Sequence, residues 1–169
     1  MRKDVYKGKY ITCSIEDIDG HLYERVTLCS GVRVLPVQDD GKILFIQEYR
    51  QHEKKSRLKL IGGWIDKNNM TALQVAQEEL REEVSMKAKT WSLFYTNDTK
   101  NCTIEEHVDY FIARDIQRVS QQKNPDNDIV ESVVYLDQRD VLKKLEQKEL
   151  LWDKDMMVVL MFFNFKKQV

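Results

Sequence analysis

The sequence predicts a layered α/β sandwich built on a mixed sheet. Three observations carry this. Two β-rich hairpin patterns with Asp-Gly turns fill the first fifty residues. A double glycine and an amphipathic, acidic helix come next, and three more strand-like runs precede two closing helical segments. Strands flanked by helices on either side have to bury apolar surface against both layers, which is the α/β/α solution.

Taken in order, "KYITCSIEDIDGHLYERVTLC" places two strands around Asp19-Gly20, and "GVRVLPVQDDGKILFIQEY" places two around Asp40-Gly41. Asp-Gly supplies the positive φ of a tight turn, so each stretch reads as a hairpin. "RQHEKKSRLK" reads as a basic connector and "IGGWIDKNN" as an irregular loop. A helix should begin near Thr71. Strand patterns follow at Trp91 to Tyr95, His107 to Ala113 and Val130 to Leu136. "QRVSQQKNPDNDI" reads as a mobile loop, and "QRDVLKKLEQK" and "DKDMMVVLMFFNF" as helices.

A chain of 169 residues suits one domain, expected over 1–169, and a chain of this size buries about 70% of its unfolded surface. Apolar residues at 42% and charged residues at 33%, with two prolines, exclude disordered and fibrous classes. Twenty-seven basic against twenty-eight acidic residues leave a net charge of -1, so no global field draws nucleic acid or a membrane surface. The longest apolar run, Met156 to Phe163, is too short to span a bilayer, and the start, "MRKDVYKGKY", is polar. The expected location is cytoplasmic. Cys13, Cys29 and Cys102 have neither disulfide nor zinc spacing and read as small buried hydrophobes.

The segment "QEELREEV" concentrates the chemistry. At 100° per residue, Leu73, Ala76, Leu80 and Val84 fall within about 80° of one another and form the buried stripe. Glu79 and Glu83, one turn apart, sit at its edge, and Glu78 and Glu82 point to the far face. Partial burial of two like charges raises at least one pKa, and a hard divalent cation removes that cost. Mg²⁺ typically takes one or two carboxylates together with substrate phosphates. An acidic helix face is also commonplace, and the octapeptide by itself favours that plain structural reading.

The preceding loop changes the balance. "LIGGWIDKNNMTALQVAQEELREEVSM" resembles the Nudix signature, which runs glycine, five residues, Glu, seven residues, then Arg-Glu-apolar-x-Glu-Glu-x-Gly-apolar. Glu79 matches the first Glu of its acidic part, Leu80 the apolar position, Glu82 and Glu83 the final pair, and Met86 the closing apolar residue. Glu78 stands where the family has Arg, Ser85 where it has the late Gly, and Asn69 or Met70 where it has the early Glu. The loop needs one extra residue for Gly63 to match the leading Gly. "GVRVLPVQDDGKILFIQEYRQ", "LKLIGGWID" and "KELLWDKDMMVVLMFF" resemble segments of ADP-ribose pyrophosphatases and related nucleoside-diphosphate-sugar hydrolases. The similarity runs over roughly residues 10 to 163 and is specific from Gly31 to Met86.

The resemblance implies a Nudix-type α/β/α sandwich and a Mg²⁺- or Mn²⁺-dependent pyrophosphohydrolase. It implies that Glu79 and Glu83 ligate the principal ion with the Gly62 carbonyl, that Glu82 assists, and that Arg50 approaches the phosphates. The basic run Arg50, Lys54, Lys55, Arg57 and Lys59 is a further candidate for holding a diphosphate. Gly63 and Trp64 are candidates for the substrate pocket. Glu105, Glu106 and Glu131 are the candidates for a general base, which the sequence does not rank. The expected partner is a small nucleoside diphosphate derivative, not nucleic acid or membrane, and the related pyrophosphatases are commonly homodimers. A Nudix-fold protein that has lost efficient chemistry and binds a nucleotide or a protein is the alternative, favoured by the missing Arg, early Glu and late Gly.

Overall fold

The computed structural model of the chain describes residues 1–66, 69–101, 103–120, 130–149 and 153–165. Asp19 and Gly20 both take positive φ, 53° and 83°, and so close the first hairpin, pairing β2 (Ile11–Ile18) with β3 (His21–Leu28). The polar N-terminus adds a strand that the sequence reading missed: β1 (Arg2–Lys7) lies antiparallel on β2.

The second Asp-Gly behaves differently. Gly41 has φ 81° and turns the chain, but β4 (Gly31–Pro36) and β5 (Ile43–Arg50) do not form the expected hairpin. They touch through one bridge, Val37 to Ile43, and then diverge into separate sheets. β4 runs parallel to β8 (Ile104–Arg118), whereas β5 lies between β6 (Lys55–Lys59) and β9 (Val130–Leu136), antiparallel to both. The stretch read as a basic connector therefore contains a strand, because its charged residues alternate with Ser56 and Leu58. β7 (Met86–Lys100) pairs with β8 along almost its whole length, so the runs at Trp91 to Tyr95 and His107 to Ala113 extend to 15 residues each. The larger sheet has the order β1-β2-β3-β8-β4, with β7 on the other edge of β8.

β4 and β5 are apolar on both faces because helices cover both. Val32, Val34, Leu44 and Ile46 pack with Val75, Ala76 and Leu80 of α1 (Ala72–Val84). Val75 is thus part of the buried stripe, and Leu73 and Val84 only flank it. On the opposite side, Leu35, Phe45, Leu58 and Leu60 pack with Val141 of α2 (Gln138–Glu146) and with Val158, Val159 and Phe162 of α3 (Asp153–Phe165). The result is the expected mixed α/β/α arrangement. Cys13 and Cys29 are half-buried, not fully buried, and Cys102 lies outside the described residues. So does most of the loop read over 117–129, although Gln117 and Arg118 still belong to β8. Among the described residues no helix is long and apolar enough to cross a membrane.

Candidate active site

Alternation along the strands decides which polar side chains meet α1. Leu58 and Leu60 turn to the α2/α3 core, so Lys59 between them turns the other way. Glu48 follows Leu44 and Ile46 on the α1 side of β5, one β-bulge further along. Glu83 comes down from the last turn of α1 to meet them. Lys59 Nζ stands 2.6 Å from Glu48 Oε2 and 3.1 Å from Glu83 Oε1. The Gly62 N–H donates to Glu83 Oε2 at 3.2 Å, and Arg50 Nε lies 3.0 Å from Glu48 Oε1. All three inner side chains are almost closed to solvent, at 9% for Lys59, 2% for Glu48 and 4% for Glu83.

Burial opposes charge at both ends of the Lys59–Glu83 contact. It would lower the Lys59 pKa, but attraction to Glu83 and Glu48 outweighs it and the ammonium is held above its ordinary value. Burial raises the Glu83 carboxyl, against the pull of Lys59 and of the Gly62 N–H. Lys59 and Glu48 thus form a buried ion pair between neighbouring strands.

The two glycines shape the other half of the site. A Cβ on Gly63 would stand 2.3 Å from Glu79 Oε1, so the Glu79 carboxylate occupies the space that a side chain there would fill. Gly62 has φ 153°, and a Cβ on it would meet the Val32 carbonyl oxygen at 2.1 Å. The Gly63 carbonyl accepts the Val32 N–H at 2.9 Å, which stitches the loop to β4 and fixes Glu79 and Glu83 against it. It is the amide of Gly62 that faces Glu83 here. Trp64 bridges to Gly31 and tilts against Tyr10 at 5.8 Å, 39% exposed, so it joins the loop to the N-terminal strands.

The remaining candidates separate. Of the basic run, Arg57 and Lys55 pair with Glu53, and only Arg50 and Lys59 reach the Glu48–Glu83 cluster. Glu105 ties down β1: it receives Arg2 through both oxygens at 2.9 Å and the Thr27 hydroxyl at 2.8 Å, contacts that lower its pKa, Thr27 most. Glu131 is exposed on β9. Glu106 accepts from Asn97 at 3.0 Å and pairs with Lys154 of α3. Four residues on, Tyr110 donates to the buried Asp155 at 2.8 Å, and Asp155 also faces Arg33 Nε at 3.4 Å. Arg33 passes beside Gly62, which connects this polar chain to the glycine loop. Glu78 points away from the loop, into a groove shared with Arg81, Lys87 and Trp91, and comes within 3.9 Å of Arg81.

The sequence reading did not find Glu48, Arg33 or Asp155, and it read Lys59 only as one of a basic run. The available signal was modest: a single Lys between two leucines in "RLKL", and a single Glu closing the apolar run "ILFIQE". Among the described residues no three His, Cys, Asp or Glu side chains are gathered as a ready metal cage. A hard divalent ion does not need one, since phosphate oxygens and water complete its shell. The carboxylates of Glu79, Glu82 and Glu83 on one helix, with the Gly63 cradle opened for Glu79, fit such an ion in kind.

The family model for the NUDIX domain matches residues 27–157. An ADP-ribose pyrophosphatase of Bacillus subtilis is 25% identical over 154 residues, covering 88% of this chain and 83% of its own. One from Mycobacterium tuberculosis is 28% identical over 91 residues, 54% of this chain and 44% of its own. A methanol dehydrogenase activator of Bacillus methanolicus is 19% identical over 165 residues, 93% and 87%. A solved structure of an ADP compounds hydrolase superposes with a TM-score of 0.74 at 18% identity, covering 100% of this chain and 95% of that one.

Proposed function

Because the chain belongs to the Nudix family, we propose that it is a pyrophosphohydrolase that cleaves the diphosphate linkage of a nucleoside diphosphate joined to another moiety, of ADP-ribose or nucleoside-diphosphate-sugar type, with Mg²⁺ or Mn²⁺ as cofactor. The observation that carries this is the Glu79 carboxylate seated in the Gly63 cradle, with Glu82 and Glu83 on the same two turns of α1. Its similarity to the Bacillus subtilis ADP-ribose pyrophosphatase supports the substrate class.

In this reading Glu79, Glu82 and Glu83 hold the ion. When bound, it supplies charge neutralisation on the diphosphate and an activated water. The Gly62–Gly63 loop keeps Glu79 and Glu83 in register, so their geometry is set before substrate arrives. Arg50, oriented by Glu48, is the group assigned to the phosphates. Trp64 and Tyr10 form an aromatic wall for the rest of the ligand. Glu106 is the favoured proton acceptor of the three candidates, because it lies on the strand that leads to Tyr110 and Asp155.

The pairing of Glu83 with Lys59 favours a second reading, a Nudix-fold binder in which the inner acid is structural. Incubation with Mg²⁺ or Mn²⁺ and a panel of ADP-ribose, nucleoside diphosphate sugars, dinucleotides and nucleoside triphosphates separates the two. The expected result is two monophosphates from at least one diphosphate-linked compound. Binding without turnover of any member would select the binder.

A further inference from the structure

Lys59 has no task in the mechanism above, yet it is among the most enclosed charges in the molecule. An ammonium in such a place is destabilising unless matched, and here it is matched by carboxylates. Lys59 and Arg50 supply two positive charges, Glu48 and Glu83 two negative ones, with separations of 2.6, 3.0 and 3.1 Å. The inner cluster is therefore neutral without any added ion. A carboxylate kept solely for a dissociable cation would need no such partner.

The direction of approach also matters. The family signature places an Arg at position 78, on the helix itself, whereas this chain has Glu78 there, turned towards Arg81. Among the described residues, Lys59 reaches Glu83 from the sheet, across the α1 interface. A divalent ion attracted to Glu79 and Glu82 meets the field of that ammonium, and a direct bond to Glu83 requires the 3.1 Å contact to open.

We propose that Lys59 is an internal counter-ion to the acidic helix: it positions Glu83 when no metal is bound and competes with a divalent cation for the same carboxylate. This rests on the assignment of the metal site to α1 made above. Lys59 is accordingly a positioning residue that sets metal affinity, and the chain holds its ion more weakly than its acid content suggests.

The test is Mn²⁺ binding to the full chain, followed by the electron paramagnetic resonance signal of the free ion and by the melting temperature. The double variant Lys59→Met/Glu48→Gln removes one charge of each sign, so the balance of the buried cluster is kept and Glu83 remains. Relief of the competition should tighten Mn²⁺ binding by about tenfold, a usual size for coupling between two charged ligands, and enlarge the Mn²⁺-induced rise in melting temperature. Lys59→Arg, which keeps the cation, should return the affinity towards that of the parent. Should the double variant not fold, the parent decides: in protein labelled with ¹⁵N-lysine, the Lys59 ammonium resonance should move on titration with Mg²⁺. Equal Mn²⁺ affinity in parent and double variant, or a Lys59 resonance that ignores saturating Mg²⁺, would make Lys59 a structural salt bridge and leave the proposed function standing. Absence of Mn²⁺ binding in every protein would overturn both.

Discussion

A single methyl group distinguishes the two glycines of the loop. On Gly62 it would run into the backbone oxygen of Val32 at 2.1 Å, and backbone cannot step aside. On Gly63 it would meet the Glu79 carboxylate, at the far end of a flexible side chain. Gly62→Ala should therefore lower stability by about 3 kcal/mol, and Gly63→Ala by about 1 kcal/mol. Gly63→Ala should in addition weaken Mn²⁺ binding by about tenfold through the displaced Glu79. Urea denaturation and Mn²⁺ titration of the two variants check both halves, and equal metal affinity in Gly63→Ala and the parent would separate Glu79 from the site. The Glu79/Glu83 pair was legible because one helical turn is a local spacing. Its partners were not, since Glu48, Lys59 and Glu83 lie on three elements and only strand alternation plus sheet pairing brings them together.

The ends of α1 carry the element-scale consequences. Thr71 accepts the Gln74 N–H and Gln74 reaches back to the Thr71 N–H, a reciprocal cap. Thr71→Ala should cost about 1 kcal/mol. At the other end Ser85 takes φ 54° and ψ 46°, the left-handed conformation that a residue with a Cβ adopts at a cost. This gives a physical reason for the late glycine of the signature, and Ser85→Gly should raise stability by about 1 kcal/mol. Chemical denaturation of both variants should show shifts of opposite sign. The start of α1 was readable because the glycine- and asparagine-rich loop ends just before it. The β4–β5 hairpin was misread because Asp-Gly specifies a turn and not which strands pair beyond it. β1 was missed because its run Arg2-Lys3-Asp4 is fully polar, and β6 because its alternating charges resemble a connector when the sheet it borders is unknown.

At the scale of the whole molecule, α3 is latched to the sheet by a buried polar contact. Tyr110 donates to Asp155 at 2.8 Å, and Arg33 stands 3.4 Å from its other oxygen. Tyr110→Phe should cost about 1–3 kcal/mol, since the Asp155 carboxylate stays buried without that donor. Burial, then the Asp155 charge, raises the Tyr110 pKa above its ordinary 10.0. The folded protein keeps a proton that the unfolded chain releases, so this contribution to stability is full below pH 10.0 and is lost as pH rises through the elevated folded value. The stability difference between parent and Tyr110→Phe should therefore shrink above pH 10.0 and be constant from neutrality up to it. The three-layer order was legible from the succession of hairpins, helix, strands and helices. The division of β4 and β5 between two sheets was not, because it depends on β8 and β9, which lie some seventy or more residues further along the chain.

In the proposed function the acids of α1 form a divalent-ion site for diphosphate hydrolysis. Its most direct test is the kcat of Glu79→Gln and Glu82→Gln with Mg²⁺, on whichever diphosphate substrate the panel identifies, at melting temperatures matched to the parent. A metal-activated hydrolase should lose about a hundredfold or more in kcat in each variant, while the fold survives an isosteric change. Hydrolysis at the parental rate in both variants would contradict it.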